Sequence, residues 1–140
     1  MSFSPAATTT TAASNVAPSV TAPTATTPAA TAPALATPSR CTADFSLIPI
    51  GTQSTSYSQT IANVERLVQQ SGLRFQMHAT GTTLEGPWDQ VVQVIGFAHT
   101  LVHQQGVARI QTDIRISTRT DKVQPMEGNV ASVERILSAG

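Results

Sequence analysis

Val107-Ala108-Arg109-Ile110-Gln111-Thr112-Asp113-Ile114-Arg115-Ile116-Ser117 alternates with period two along its length. Successive side chains of a strand leave opposite faces, so Ile110, Thr112, Ile114 and Ile116 point one way and Arg109, Gln111, Asp113 and Arg115 the other. One face of this strand belongs in a core and the other carries ionisable groups. Upstream, Trp88, Val91, Val92, Ile95, Ala98 and Val102 recur at helical spacing. Pro87 suits the first position of that helix, Asp89 complements its dipole, and Gly106 marks its end.

Before this helix, Arg74-Phe75-Gln76-Met77-His78-Ala79-Thr80 alternates strictly. Gly81 places a turn, and Thr82-Thr83-Leu84-Glu85 returns as a short paired strand. Ser56-Tyr57-Ser58-Gln59 reads as a capping box for an earlier helix with Ile61, Val64, Leu67 and Val68 on its apolar stripe and Gly72 at its end. Asp44 to Ile50 gives a first strand, irregular at Pro49. A last helix is expected from about Pro125 to Leu137, with Val130, Val133, Ile136 and Leu137 as its stripe.

The order is βαββαβ plus a terminal helix. Right-handed crossovers turn it into an α+β, ferredoxin-like antiparallel sheet with an additional C-terminal helix. The two long helices are expected to cover the face bearing Phe45, Leu47, Phe75, Met77, Ala79, Leu84, Ile110, Ile114 and Ile116. Residues 42–140 form this domain and residues 1–41 a disordered tail. The chain has 140 residues and sixteen charged side chains, none before Arg40. Before that point Ala, Thr, Pro and Ser dominate, and Pro18, Pro23, Pro28, Pro33 and Pro38 recur every five residues. Such a stretch buries too little area to offset the entropy of ordering it.

Composition bounds the function. A formal net charge of zero removes the main attraction for a phosphate backbone. No segment approaches the roughly 20 apolar residues of a membrane span. The single Cys41 fits a reducing compartment, so the protein is expected in the cytoplasm. His99 and His103 lie four apart on one helix, but the pattern lacks a zincin glutamate and a third ligand, so no metal is expected. Without a nucleophile motif, phosphate loop or paired-carboxylate motif, the chain reads as a non-enzyme with no cofactor.

The sheet face turned away from the helices is mixed. By alternation it carries Ser46, Ile48, Gln76, His78, Thr80, Thr83, Glu85, Gln111, Asp113 and Arg115. Ion pairs of Arg115 with Asp113 or Glu85 on a solvated face are one reading. A subunit interface or a flat heteroaromatic ligand is another, because Ile48 and Ile50 interrupt the polar pattern.

Ala43-Asp44-Phe45-Ser46-Leu47-Ile48-Pro49-Ile50-Gly51-Thr52 resembles the opening strand of the small thiamine-binding protein family. The likeness continues at Gly81-Thr82-Thr83-Leu84-Glu85-Gly86, at Ala98-His99 and at Thr112-Asp113-Ile114-Arg115-Ile116, followed by Arg119, Asp121 and Lys122. It covers residues 43–138 and is closest to fungal members. It implies a ferredoxin-like fold, association into homodimers or homotetramers through the sheets, and binding of thiamine or its pyrimidine part without chemistry. An aminopyrimidine needs an acceptor for its amine and partners for its ring nitrogens. Glu85, Ser46, Thr80, Thr82, Thr83 and His78 offer such groups. Asp113 or Glu85 favours a thiazolium, whereas a phosphate draws Arg115, Arg119 or Lys122. The alternative is an oligomeric structural or regulatory module that holds an anion at a subunit junction built from Arg119, Asp121 and Lys122.

Overall fold

A computed structural model describes residues 34–140, and the expectation of a disordered tail over residues 1–33 falls outside them. The elements run β1 (Arg40–Ile50), α1 (Ser58–Gln70), β2 (Arg74–His78), β3 (Gly81–Pro87), α2 (Trp88–Gln104), β4 (Arg109–Ser117) and α3 (Met126–Ser138). The four strands form one antiparallel sheet in the order β2-β3-β1-β4. Two split βαβ crossovers joined by the β2–β3 hairpin give this order, which is the ferredoxin-like arrangement.

β1 begins at Arg40, earlier than the expected domain start at residue 42 and strand start at Asp44, so Arg40 and Cys41 belong to the sheet. Its inward residues Cys41, Ala43, Phe45, Leu47 and Pro49 are buried, and the residues between them are half-buried. Register carries this phase to the neighbours. Phe45 lies opposite Thr82 and Ile114, and Leu47 opposite Thr112. Phe75 lies opposite Leu84, and Met77 opposite Thr82. The helix side therefore holds Ile110, Thr112, Ile114 and Ile116, as their alternation requires. The core joins Phe45, Leu47 and Leu84 to Val64 and Val68 of α1 and to Val91, Ile95, Ala98 and Val102 of α2. Trp88 packs against its edge.

Three expectations are corrected. Met77, Ile114 and Ile116 face the helix side but remain 60%, 47% and 38% exposed. They sit on the outer strands, whereas the buried residues of α2 close over the central pair. Ala79 falls in the β2–β3 turn rather than in a strand. The capping box of α1 does not form: the helix starts at Ser58, the Ser56 and Ser58 hydroxyls pair at 3.2 Å, and the Gln59 amide turns to Asn63. Gly72 and Gly106 do end their helices, with φ of 72° and 90°.

α3 is anchored only at its start. Met126 is buried, but Val130, Val133, Ile136 and Leu137 are 57–75% exposed.

Two glycines test this packing by urea denaturation. A Cβ on Gly81 would meet the Phe45 carbonyl oxygen at 2.5 Å, whereas one on Gly96, within α2, meets nothing within 4 Å. Gly81→Ala is expected to destabilise the domain by more than about 1 kcal/mol, and Gly96→Ala to stabilise it by up to about 1 kcal/mol. Leu84→Ala, which empties a fully buried position, is expected to cost about 2–5 kcal/mol.

Candidate functional site

Two concavities flank the end of the sheet where the β2–β3 hairpin turns. The larger, about 990 Å³, lies on the helix side, between α1, the loop before it and the hairpin. Phe45, Leu47, Ile61 and Met77 give it an apolar lining. Glu65 projects from α1 among these groups and is 8% exposed. The Thr82 hydroxyl donates to its Oε1, and among the described residues its Oε2 has no partner. A buried acceptor without a donor costs about 1–3 kcal/mol, so this oxygen is set to receive an N–H or O–H.

Glu65 belongs to the buried stripe of α1 by spacing. Ile61, Val64, Glu65 and Val68 occupy positions i, i+3, i+4 and i+7. The same stripe read from its apolar members alone passes over the one carboxyl among them, and that interruption was the available signal.

The smaller concavity, about 350 Å³, lies on the open face and is lined by Asp44, Ser46, Thr80, Asp113, Ile114 and Arg115. Asp44 organises it. Its Oδ2 accepts from Arg115 Nη2 at 2.6 Å, and its Oδ1 lies 3.0 Å from His78 Nε2. His78 Nδ1 accepts from the Thr80 amide at 3.4 Å, so one tautomer, protonated at Nε2, serves both contacts. The Thr80 hydroxyl is also 3.4 Å from Nδ1. Hydroxyl, imidazole and carboxyl are thus in sequence, but the first contact is long and Arg115 already holds the carboxyl. The arrangement pins the hairpin to β1 and β4. The expected pairing of Arg115 with Asp113 or Glu85 is replaced by Asp44, which lies directly across from Arg115 in the β1–β4 register. Asp113 instead accepts from Gln111 at 3.2 Å.

The proposed ligand residues are therefore divided. Thr82 lines the helix-side cavity, Asp113 and Arg115 line the open-face one, and Ser46 and Thr80 border both. His78 lines the larger cavity while bonding to the open face. Thr83 lies opposite Asp44 on the open face. Glu85 stands apart. It is buried at the start of α3, where Oε2 accepts the Met126 amide at 2.8 Å and Oε1 faces Arg40 at 3.4 Å. Arg74, its cross-strand neighbour, bonds Glu127 at 2.6 Å and holds that carboxyl below its usual range. The carboxyl read as a ligand group is already engaged in docking the first turn of α3.

Beyond β4, Arg119 grips Asp121 with two hydrogen bonds of 2.8 and 2.6 Å and also reaches Gln124. Among the described residues no three ligating side chains cluster for a metal ion. His99 Nε2 is 2.7 Å from the Thr112 hydroxyl, and His103 Nδ1 is 2.8 Å from the Val107 carbonyl. Burial pushes the Cys41 thiol up, which disfavours the reactive thiolate.

A ferredoxin-like domain with a carboxyl-bearing cavity beneath its first helix is thus the class defined by fold and site. Comparison with known proteins narrows it. The family profile described as thiamine-binding protein matches residues 43–134, and the chain belongs to that family. The UPF0045 protein ECM15 of Eremothecium gossypii is 43% identical over 95 residues, covering 68% of this chain and 90% of its own. The UPF0045 protein YqgV of Bacillus subtilis is 32% identical, covering 68% and 95%. Among solved structures, hypothetical protein MJ1052 of Methanocaldococcus jannaschii superposes with a TM-score of 0.63 at 26% identity, over 69% of this chain and 97% of that one. A putative thiamine biosynthesis/salvage protein of Thermotoga maritima, 14% identical over 67% of this chain and 98% of that one, shares the fold with a TM-score of 0.58.

Two measurements check these assignments. Glu85→Ala leaves the Met126 amide without its acceptor, so hydrogen exchange of residues 126–138 is expected to accelerate while β1 and β3 stay protected. The Arg119 hydrogen bonds lower Asp121 from 3.8 to about 2. Its pairing is complete above the ordinary carboxylate range and is lost as pH falls through about 2. Carboxyl-carbon NMR is expected to show that midpoint, moving up toward the ordinary carboxylate range in Arg119→Gln.

Proposed function

We propose that the domain binds thiamine, or the aminopyrimidine part of it, in the helix-side cavity without chemical conversion. The observation that carries this reading is the free Oε2 of Glu65 in an apolar-lined cavity of about 990 Å³. Such a site takes a flat, largely apolar ligand with one strong donor. An exocyclic amine on a heteroaromatic ring is that ligand. Membership of a family described as thiamine-binding supports the same chemistry. The reading moves the anchoring carboxyl from Glu85 to Glu65, because Glu85 already serves α3. Thr82, Thr80, His78 and Ser46 remain within reach of the ligand as cavity-lining groups. Binding alone accounts for these features, and a chain whose one cysteine is a buried thiol suits the cytoplasm.

A second reading concerns assembly and is compatible with the first. The exposed apolar stripe of α3 and the half-exposed Ile114 and Ile116 support burial against further copies of the chain. Homodimers or homotetramers are the proposed state. The loop of Arg119, Asp121 and Lys122 lies between β4 and α3, next to those surfaces in sequence. An anion held where subunits meet remains the alternative role for it.

Calorimetric titration of the full chain with thiamine tests the first reading. Saturable heat is expected, with affinity lowered at least about tenfold in Glu65→Gln, since a carboxylate acceptor is worth more than a neutral one. Heat equal to dilution would remove the binding role. Light scattering tests the second. A mass above one chain is expected, falling in Ile136→Glu, and a monomer at high concentration would contradict it.

A further inference from the structure

The helix-side cavity carries groups of opposite charge in its lining. The charged side chains of its lining are Glu65 and Arg66. Glu65 is buried, and Arg66 is exposed at the next position of the same helix, roughly 100° further round its axis. The Arg66 guanidinium donates one N–H to Asn63 at 2.6 Å, which leaves donors of its five unspent. The rim also includes Thr55, Ser56 and Ser58, where α1 begins. That N-terminus has no side-chain cap and no acidic residue in its first turn. Its leading amides have no intrahelical acceptor and carry the positive end of the helix dipole. Glu65 is thus the one carboxyl of the lining and is buried, while the exposed part of the lining offers a guanidinium, a helix start and hydroxyls.

We propose that this rim receives a phosphate, so that the preferred ligand is a phosphate monoester of the amine-bearing heterocycle rather than its free alcohol. The inference rests on the reading of the cavity as a ligand site. The unpartnered, buried Glu65 oxygen points to a ligand independently of the helix terminus. A donor on the ring satisfies that oxygen, and the ester oxygens meet the Arg66 guanidinium, which its bond to Asn63 draws back toward the start of α1. Charge-assisted hydrogen bonds of this kind, at a helix start free of acids, favour a dianion over a hydroxyl. The open-face Arg115 is less available for this role because Asp44 holds it at 2.6 Å. Arg119 is likewise taken by Asp121.

The test titrates the full chain at low ionic strength with the pyrimidine alcohol of thiamine, its phosphate monoester, and inorganic phosphate. The ester is expected to bind at least about tenfold more tightly than the alcohol, with inorganic phosphate weaker than both. In Arg66→Gln, an exposed substitution that leaves the core untouched, the ester-to-alcohol affinity ratio is expected to fall toward one. An ester no tighter than the alcohol, or a ratio unmoved in Arg66→Gln, overturns this proposal and leaves the binding role intact. Inorganic phosphate binding as tightly as the ester also overturns it, because the ring would then contribute nothing. Absence of binding by both alcohol and ester overturns the binding role together with this one.

Discussion

β1 lies between β3 and β4, and its two-residue alternation assigns a side to every other strand. Cys41, Ala43, Phe45, Leu47 and Pro49 go under the helices because no other placement buries them. Thr42, Asp44 and Ser46 are then forced to the open face. A slip of one residue would bury Asp44 in place of Phe45 and bring a carboxyl against Leu84 and Val64. Hydrophobic burial therefore fixes where the ionisable groups of all four strands stand. The open face, with Asp44 between His78 and Arg115, follows from that choice.

The first helix violates the rule that the strands obey. Glu65 occupies a position of its buried stripe and, among the described residues, meets one donor, the Thr82 hydroxyl. An isosteric apolar residue would serve packing better, since a carboxyl out of water is costly unless its lone pairs are met. A buried polar group with an unmet partner is rare and calls for an explanation. The same element supplies the exposed Arg66 and an uncapped start to the lining of the same cavity. Glu85, by contrast, is buried with both oxygens occupied, and its role is complete within the chain.

The fold was legible because the strands alternate cleanly and the glycines after α1 and α2 sit at positions of positive φ. The faces of Asp113, Arg115, Gln76 and His78 followed directly from strand phase. What stayed hidden depended on contacts distant in sequence. Glu85 and Met126 are 41 residues apart, and nothing local says that an α3 amide reaches that carboxyl. Asp44 and Arg115 are 71 apart, and their pairing needs the register of β1 against β4. Thr82 was assigned to a ligand site but lies on the opposite side of the sheet from Thr83, as their adjacency requires. Glu65 was missed for a different reason. Its signal was local, but a helix stripe is read by its apolar members and an acid among them passes as solvated.

In the proposed function the ligand sits beneath α1 rather than on the open face of the sheet. Amide NMR of the isotopically labelled chain, titrated with thiamine, addresses it most directly. Shifts are expected to concentrate at residues 55–58, 65–66 and 77–82, with Gln111 and Asp113 scarcely moved. Perturbation confined to β4 and the Asp44–Arg115 pair, with Glu65 and Thr82 silent, would contradict it.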